Sequence, residues 1–328
     1  MDQDRSNQIF SIQSETEFQK RALETFRFQA SENAVYAQFV ENLRIPIDHV
    51  QHTRDIPFLP VEFFKSQVLM CGSKTPQVVF TSSGTTGMVQ SRHPVSDITL
   101  YEKSFTCGFE HFYGKAEDYV ILALLPSYLE REGSSLIYMV DSLIKQSNDE
   151  SSGYFLYNHA ELFDTLQRLQ HKKKKVLLIG VTYALLDFAE AYSLNFPDLI
   201  VMETGGMKGK RRELIRAELH NILTAAFGVT SIHSEYGMTE LLSQAYSSGG
   251  GIFRCPPWMK IQIRDMNDPL SQMENGYTGG VNIIDLANRY SCSFIATQDL
   301  GKAYSDGSFE ILGRFDNSDI RGCNLLVQ

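Results

Sequence analysis

The 328-residue chain has no Cys-x-x-Cys pair, no apolar run near the length of a membrane span, no surplus of basic charge and no internal repeat. Its five cysteines (Cys71, Cys107, Cys255, Cys292 and Cys323) are scattered and odd in number. That pattern disfavours both a disulfide framework and a structural zinc site, and fits a reducing compartment. Without about 20 consecutive apolar residues there is no candidate membrane span. The N-terminus, with Asp2, Asp4, Glu15 and Glu17, has no basic-then-apolar signal pattern, so a cytoplasmic location is expected. The net charge of -9 opposes a nucleic-acid role. The one basic run, Lys172 to Lys175, lies between a helix-like and a strand-like stretch and reads as a solvated turn.

With 43% hydrophobic and 21% charged residues the chain has an ordinary globular balance, and its length suits one large domain or two smaller ones. Residues 1–60 read as a helical lead-in, with Phe18, Ala22, Phe26 and Phe28 spaced for one buried face before Pro46, Pro57 and Pro60 interrupt. Residues 61–250 then alternate strands with helices. The strands are expected over Gln77 to Thr81, Val120 to Leu125, Val176 to Ile179 and Leu199 to Met202. Helices are expected around Leu136 to Ile144, around Leu162 to Leu169, from Thr182 as a cap, and from Arg211 to Phe227, apolar at Ile215, Leu219, Ile222, Leu223 and Ala226. Such alternation implies an α/β fold with parallel strands and helices on both faces. After Gly249-Gly250-Gly251 the texture changes, and residues 251–328 read as a smaller β-rich lobe with strands at Lys260 to Arg264 and Val281 to Asp285.

Three motifs carry chemistry. Thr81-Ser82-Ser83-Gly84-Thr85-Thr86-Gly87 follows an apolar strand directly, and its hydroxyls, N–H groups and glycines suit a phosphate. No Gly-Lys-Ser/Thr ends it, so the mononucleotide-binding fold built on that signature is disfavoured. The same residues also suit a hydroxyl-rich turn with no ligand. Ser234-Glu235-Tyr236-Gly237-Met238-Thr239-Glu240 offers a ring that can stack on a purine and, in Glu240, a carboxylate that can ligate Mg²⁺ beside a phosphate; equally, Tyr236 suits a core and Glu240 a helix surface. Asp299, then Asp306-Gly307 as a hairpin turn, then Gly313-Arg314-Phe315-Asp316 could hold a ribose, or be a hairpin with a surface Arg–Asp pair.

The order and spacing of these motifs resemble the adenylate-forming superfamily of acyl-CoA synthetases, luciferases and peptide-synthetase adenylation domains. Within it the chain looks most like the acyl-protein synthetase (LuxE) family. That likeness runs through Leu125-Pro126-Ser127-Tyr128-Leu129-Glu130-Arg131, Glu203-Thr204-Gly205-Gly206-Met207-Lys208-Gly209, Ser234 to Gln244, and Arg321-Gly322-Cys323-Asn324. The resemblance implies the large N-terminal domain of an adenylate-forming enzyme, with the mobile C-terminal domain of the superfamily and its catalytic lysine absent from this chain.

It also implies roles. Thr81 to Gly87 would hold the β- and γ-phosphates of ATP. Gly205, Gly206 and Tyr236 with Gly237 would enclose the adenine. Thr239 would touch the α-phosphate, Glu240 would bind Mg²⁺, and Asp299 with Arg314 would hold the ribose. A fatty or other carboxylic acid would become an acyl-adenylate, for onward delivery to an acyl reductase or acyl carrier protein. Where many superfamily members carry a lysine after the phosphate loop, this chain offers Arg92. Tyr128, Ser134, Met207 and Met238 are candidates for the acyl pocket. His233 stands either near the adenylate or in the core. Lys208, Lys210, Arg211 and Arg212 are either phosphate contacts or a solvated helix start.

In the acyl-protein synthetases an acyl-accepting cysteine lies near the C-terminus, and Cys323 matches it. Nine extended residues from Arg314 span up to roughly 30 Å, enough to reach an adenylate. The neighbouring Arg321 favours thiolate. Against this, Leu325, Leu326 and Val327 also suit a terminal strand that buries the cysteine. Three functions therefore stand: self-acylation of Cys323, acyl transfer to CoA or a carrier protein, and a non-catalytic nucleotide-binding scaffold subunit.

Overall fold

The computed structural model describes residues 7–82, 89–125, 133–205 and 214–315. In chain order, helices α1 (Glu15–Glu32) and α2 (Ala34–Asn42) lead to strand β1 (Leu59–Pro60), a helical turn at Phe63–Ser66, and strands β2 (Val78–Thr81) and β3 (Arg92–Val95). Helix α3 (Ile98–Tyr113), β4 (Tyr119–Leu124), α4 (Ser135–Ser147), β5 (Gly153–Tyr154), α5 (His159–Leu169), β6 (Lys175–Val181), α6 (Thr182–Ala191), β7 (Leu199–Thr204), α7 (Arg216–Phe227), β8 (His233–Tyr236) and β9 (Ala245–Ser247) follow. The β-rich end holds β10 (Met259–Arg264), β11 (Thr278–Asp285), β12 (Phe294–Ala303) and β13 (Phe309–Arg314). The chain folds as two compact units, one of residues 1–77, 93–97 and 257–328 and the other of 78–92 and 98–256.

The second unit is built on a sheet of order β5-β4-β6-β7-β8-β9, parallel throughout except for the antiparallel β8–β9 edge. All six residues of β4 are buried, and β6 is buried from Val176 onward. Helices cover both faces, so these strands read as continuous apolar runs with no alternation. On one face Phe109 of α3 and Met139, Val140 and Leu143 of α4 meet Ile121, Leu177, Ile179 and Met202. On the other, Leu185 of α6 lies against Gly180 and Leu124, where a Cβ on Gly180 would stand 2.8 Å from Leu185 Cδ2. Phe188 of α6 stacks on Phe227 of α7 at 5.4 Å and 3°.

Several expectations need correction. Thr182 is the first helical residue of α6 and caps nothing; Val181 holds the cap position without a side-chain bond. The Thr182 hydroxyl instead donates to the Gly205 carbonyl at 2.5 Å. Helix α7 begins at Arg216, and its buried face is Leu219, His220, Leu223 and Phe227, while Ile215 and Ile222 are exposed. On α1, Phe18, Ala22 and Phe26 are buried as the spacing predicts, but Phe28 is only half-buried. The basic run is solvated as expected at Lys172, Lys173 and Lys175, with Lys174 paired to Asp149 at 3.2 Å.

The first unit joins α1 and α2 to a sheet of order β1-β12-β11-β10, with β13 paired to β12. Phe26 and Tyr36 pack their rings on Phe294 of β12. The buried Gln29 amide donates to the carbonyls of Asn288 and Arg289, and that of Asn33 to Ser291. Arg264 crosses three strands, donating to the carbonyls of Val281 and Thr297 and to Asn282 Oδ1 at 2.5–2.9 Å.

Gly228 ends α7 in the left-handed region at φ +65°, and a Cβ there would stand 2.6 Å from Asn195 Cα and 2.8 Å from the Leu194 oxygen. Both neighbours are backbone and cannot swing aside. Gly228→Ala is expected to destabilise the fold by about 2–4 kcal/mol, combining left-handed strain with overpacking. Urea unfolding checks this, and an unchanged midpoint contradicts it.

Candidate active site

The carboxyl ends of β7 and β8 bring two of the sequence motifs together. Register pairs Met202 with His233, Glu203 with Ser234 and Thr204 with Glu235, so Gly205 leaves one strand where Tyr236 ends the next. In open parallel sheets such strand ends are where ligands are bound. Gly205 has φ +69°, and its carbonyl is held by the Thr182 hydroxyl. Tyr236 is half-buried, with its ring edge-on to Phe253 at 6.0 Å. The turn that follows is closed by the Leu241 N–H on the Met238 carbonyl at 3.1 Å, with Gly237 exposed, Thr239 half-buried and Glu240 buried.

The phosphate-loop candidate is anchored at its entry. The Thr81 N–H donates to the Gly133 carbonyl at 2.8 Å, the Ser82 N–H to the Ser91 carbonyl at 3.0 Å, and the Ser91 N–H back to Ser82 Oγ at 2.9 Å. Arg92 is exposed at the start of β3. Ser83, Gly84, Thr85, Thr86, Gly87, Gly206 and Cys323 lie outside the described residues, as do Tyr128, Met207, Lys208, Lys210, Arg211, Arg212 and Arg321. Asp299 and Arg314 belong to the other unit. They are register partners on β12 and β13, with Arg314 Nε 3.3 Å from Asp299 Oδ1, the aspartate buried and the arginine exposed. The Asp299 N–H donates to Thr297 Oγ1 at 3.0 Å.

Around β7 and β8 lies a set of buried polar groups to which the motifs gave no role. Glu203 pairs with Arg216 of α7 at 3.4 Å and lies 3.9 Å from His220. The Arg216 guanidinium also reaches Ser234 Oγ and sits 5.0 Å from the centre of the Phe253 ring, which itself touches Tyr236. On the opposite face of the sheet, Glu235 is fully buried and accepts a short hydrogen bond from the Thr204 hydroxyl. Burial pushes its carboxyl up to about 7; the Thr204 bond opposes this, and the nearby Glu203 charge adds to it. The signal for this set was two glutamates inside stretches otherwise fit for buried strands, since a buried charge needs a partner.

His233 is half-buried, its Nδ1 3.1 Å from the Tyr113 hydroxyl, and burial lowers its pKa, so it is a hydrogen-bonded neutral side chain. Ser134 caps α4 through the Ile137 N–H. A small apolar cavity, no larger than a water site at about 10 Å³, lies between α3, α4 and the sheet, lined among others by Phe109, Met139, Leu143, Met202 and Tyr246. Neither Ser134 nor Met238 lines it.

Glu240 is a single buried carboxylate at a strand end, and among the described residues no three of His, Cys, Asp and Glu are grouped to hold a metal ion. This donor set fits Mg²⁺, which keeps several waters and takes one or two carboxylates beside substrate phosphates. No helix among the described residues is long and apolar enough to cross a membrane.

The fold is that of the large domain of adenylate-forming ligases. The chain is similar to ATP-bound MatB from Rhodopseudomonas palustris, with 17% identity over 72% of this chain and 47% of that one at a TM-score of 0.54. It is also similar to 2-hydroxyisobutyryl-CoA ligase in its thioesterification state with 2-HIB-AMP and CoA, with 14% identity over 93% and 70% of the two chains at a TM-score of 0.70. The chain thus spans about half the length of the MatB chain. No curated protein matches it in sequence. The model of the acyl-protein synthetase (LuxE) family matches residues 9–328, and the chain belongs to that family.

A carboxyl whose pKa is higher folded than unfolded makes the fold most stable while it is protonated in both states. For Glu235 that contribution is complete below the unfolded value of 4.5 and lost as pH rises to about 7. The loss is about 3 kcal/mol at 1.36 kcal/mol per unit. Glu235→Gln, neutral at every pH, is therefore expected to gain stability over wild type by about 2–3 kcal/mol between pH 5 and pH 8. Denaturant midpoints at the two pH values measure this, and an equal difference at both contradicts it.

Proposed function

We propose that the protein activates a fatty acid with ATP and Mg²⁺ to an acyl-adenylate and transfers the acyl group to its own Cys323. The observation carrying this reading is the convergence of Gly205 and Tyr236 at adjacent strand ends, with Glu240 buried four residues beyond Tyr236. In this reading Gly205, Gly206 and the Tyr236 ring enclose the purine, and Thr81 to Gly87 hold the β- and γ-phosphates. Thr239 is the α-phosphate contact and Glu240 holds Mg²⁺; the family likeness gives Asp299 and Arg314 the ribose, Asp299 as acceptor and Arg314 as donor. Bound Mg²⁺ supplies neutralisation of phosphate charge.

The first step joins a substrate carboxylate oxygen to the α-phosphorus and breaks its bond to the β-phosphate oxygen, releasing pyrophosphate. The second joins a cysteine sulfur to the acyl carbonyl and breaks the mixed anhydride, releasing AMP; the thiol proton goes to solvent. Both depend chiefly on alignment and charge stabilisation, so oriented N–H donors matter more than a strong base. Support for an acyl substrate comes from the family itself, the acyl-protein synthetases.

Support for Cys323 comes from its family position and from three of the other four cysteines, Cys255 being half-buried. Cys71 and Cys292 are buried, and burial holds the Cys292 thiol up at about 12. Burial, with Glu110 nearby, also raises the Cys107 thiol. None of these three has the electropositive, accessible surroundings of a reactive thiolate.

Incubation with radiolabelled fatty acid and Mg·ATP is expected to label the protein, with the label released by hydroxylamine. Cys323→Ser is expected to lose the label while ATP–pyrophosphate exchange continues; a mutant that labels like wild type refutes self-acylation. In that event, AMP release on adding CoA or a carrier protein identifies an external acceptor. Glu240→Ala is expected to lower exchange by about 10²-fold, the scale of losing one electrostatic stabiliser. Silence of the wild type with every acid tested contradicts the adenylation itself.

A further inference from the structure

We infer that Glu235 is a positioning residue that ties the Gly205 turn to the Tyr236-Gly237 turn and so sets the width of the nucleotide slot between them. This rests on the adenylation reading above. Three contacts carry it. Thr204 and Glu235 are the last register pair of β7 and β8, so their side chains stand on one face directly before the two turns. The Thr204 hydroxyl donates to Glu235 Oε2, which locks the carboxyl in place and links the strands by side chains where the ladder ends. The other oxygen lies beneath the second turn, since a Cβ on Gly237 would stand only 2.4 Å from Glu235 Oε1. One carboxyl therefore touches the residue before Gly205 and the residue after Tyr236.

The surroundings explain why a carboxyl can do this without an ion pair. The titratable groups around it are Glu203 of β7, Tyr113 of α3 and Tyr246 of β9. Arg216 of α7 is engaged by Glu203 and Ser234, and His233 of β8 is neutral and bonded to Tyr113. No cation pairs with Glu235 in this set, and Tyr246, its register partner on β9, closes the far side. Burial, and after it the Glu203 charge, favours the neutral acid, while the Thr204 bond favours the carboxylate; ionisation therefore sets an uncompensated charge in the dry layer beneath the two turns.

The test is ATP–pyrophosphate exchange, with binding of a fluorescent ATP analogue measured in parallel on the full chain. Thr204→Val and Glu235→Ala are expected to raise the KM for ATP about tenfold, the size of one lost buried hydrogen bond, while the KM for the acid and kcat change less than threefold. Glu235→Gln keeps the Thr204 bond and is expected to stay within threefold of wild type at pH 6. Above pH 7 the wild-type KM for ATP rises while that of Glu235→Gln stays flat, a readout that a merely structural residue would not move. An unchanged KM for ATP in the alanine and valine variants, a larger effect on the acid than on ATP, or a pH profile shared by wild type and Glu235→Gln overturns the inference. Should the alanine variant fail to fold, the pH comparison with Glu235→Gln decides. Variants that match an active wild type sink the positioning role alone, whereas a wild type that neither binds the analogue nor exchanges sinks the adenylation reading and this inference with it.

Discussion

Parallel pairing of β7 with β8 is the constraint on which the candidate site depends. It aligns two strands from different parts of the chain so that Gly205 and Tyr236 emerge side by side. The pairing also buries two carboxylates one register step apart, Glu203 and Glu235, on opposite faces of the sheet. Desolvating two neighbouring acids is unfavourable unless each finds a partner. The fold supplies Arg216 for the first and the Thr204 hydroxyl for the second. Both solutions hold the strand ends from which the motif turns depart.

Beneath those turns the sheet is rigid because it is dry. β4 and β6 are buried on both faces, and each face is closed by helices whose apolar stripes come from α3 and α4 on one side and α6 on the other. A close-packed platform of this kind lets short irregular segments carry chemistry without themselves being stable elements. The interaction of Arg216 with Phe253, and of Phe253 with Tyr236, extends that support to the aromatic side chain of the motif.

The β-rich unit solves a different problem. Its helices α1 and α2 bury polar amides, Gln29 and Asn33, that satisfy carbonyls of the irregular segment 288–291. Arg264 binds β10, β11 and β12 through carbonyls and one amide oxygen, and neighbours Asp299 electrostatically. Asp299 and Arg314 are joined because β12 and β13 set them in register, which also makes their hairpin neighbourhood a pair of a common surface kind.

The sequence by itself determined the α/β class, the family and most element cores. The strands at Tyr119–Leu124, Lys175–Val181 and Leu199–Thr204 were legible because a parallel strand buried on both faces is a continuous apolar run. The hairpin at Asp306-Gly307 was legible because a turn aspartate and glycine stand together between two strands. What local pattern could not convey was partnership. Thr182 has the composition of a helix cap, yet its hydroxyl serves a carbonyl on the segment after β7, and Ile215 has the spacing of a core residue yet lies exposed. The partners of Glu203 and Glu235, Arg216 and Thr204, are 13 and 31 residues away along the chain. Helix and strand formation answers to neighbours a few residues apart, whereas satisfying a buried polar group depends on atoms that only the tertiary fold brings within a few ångströms.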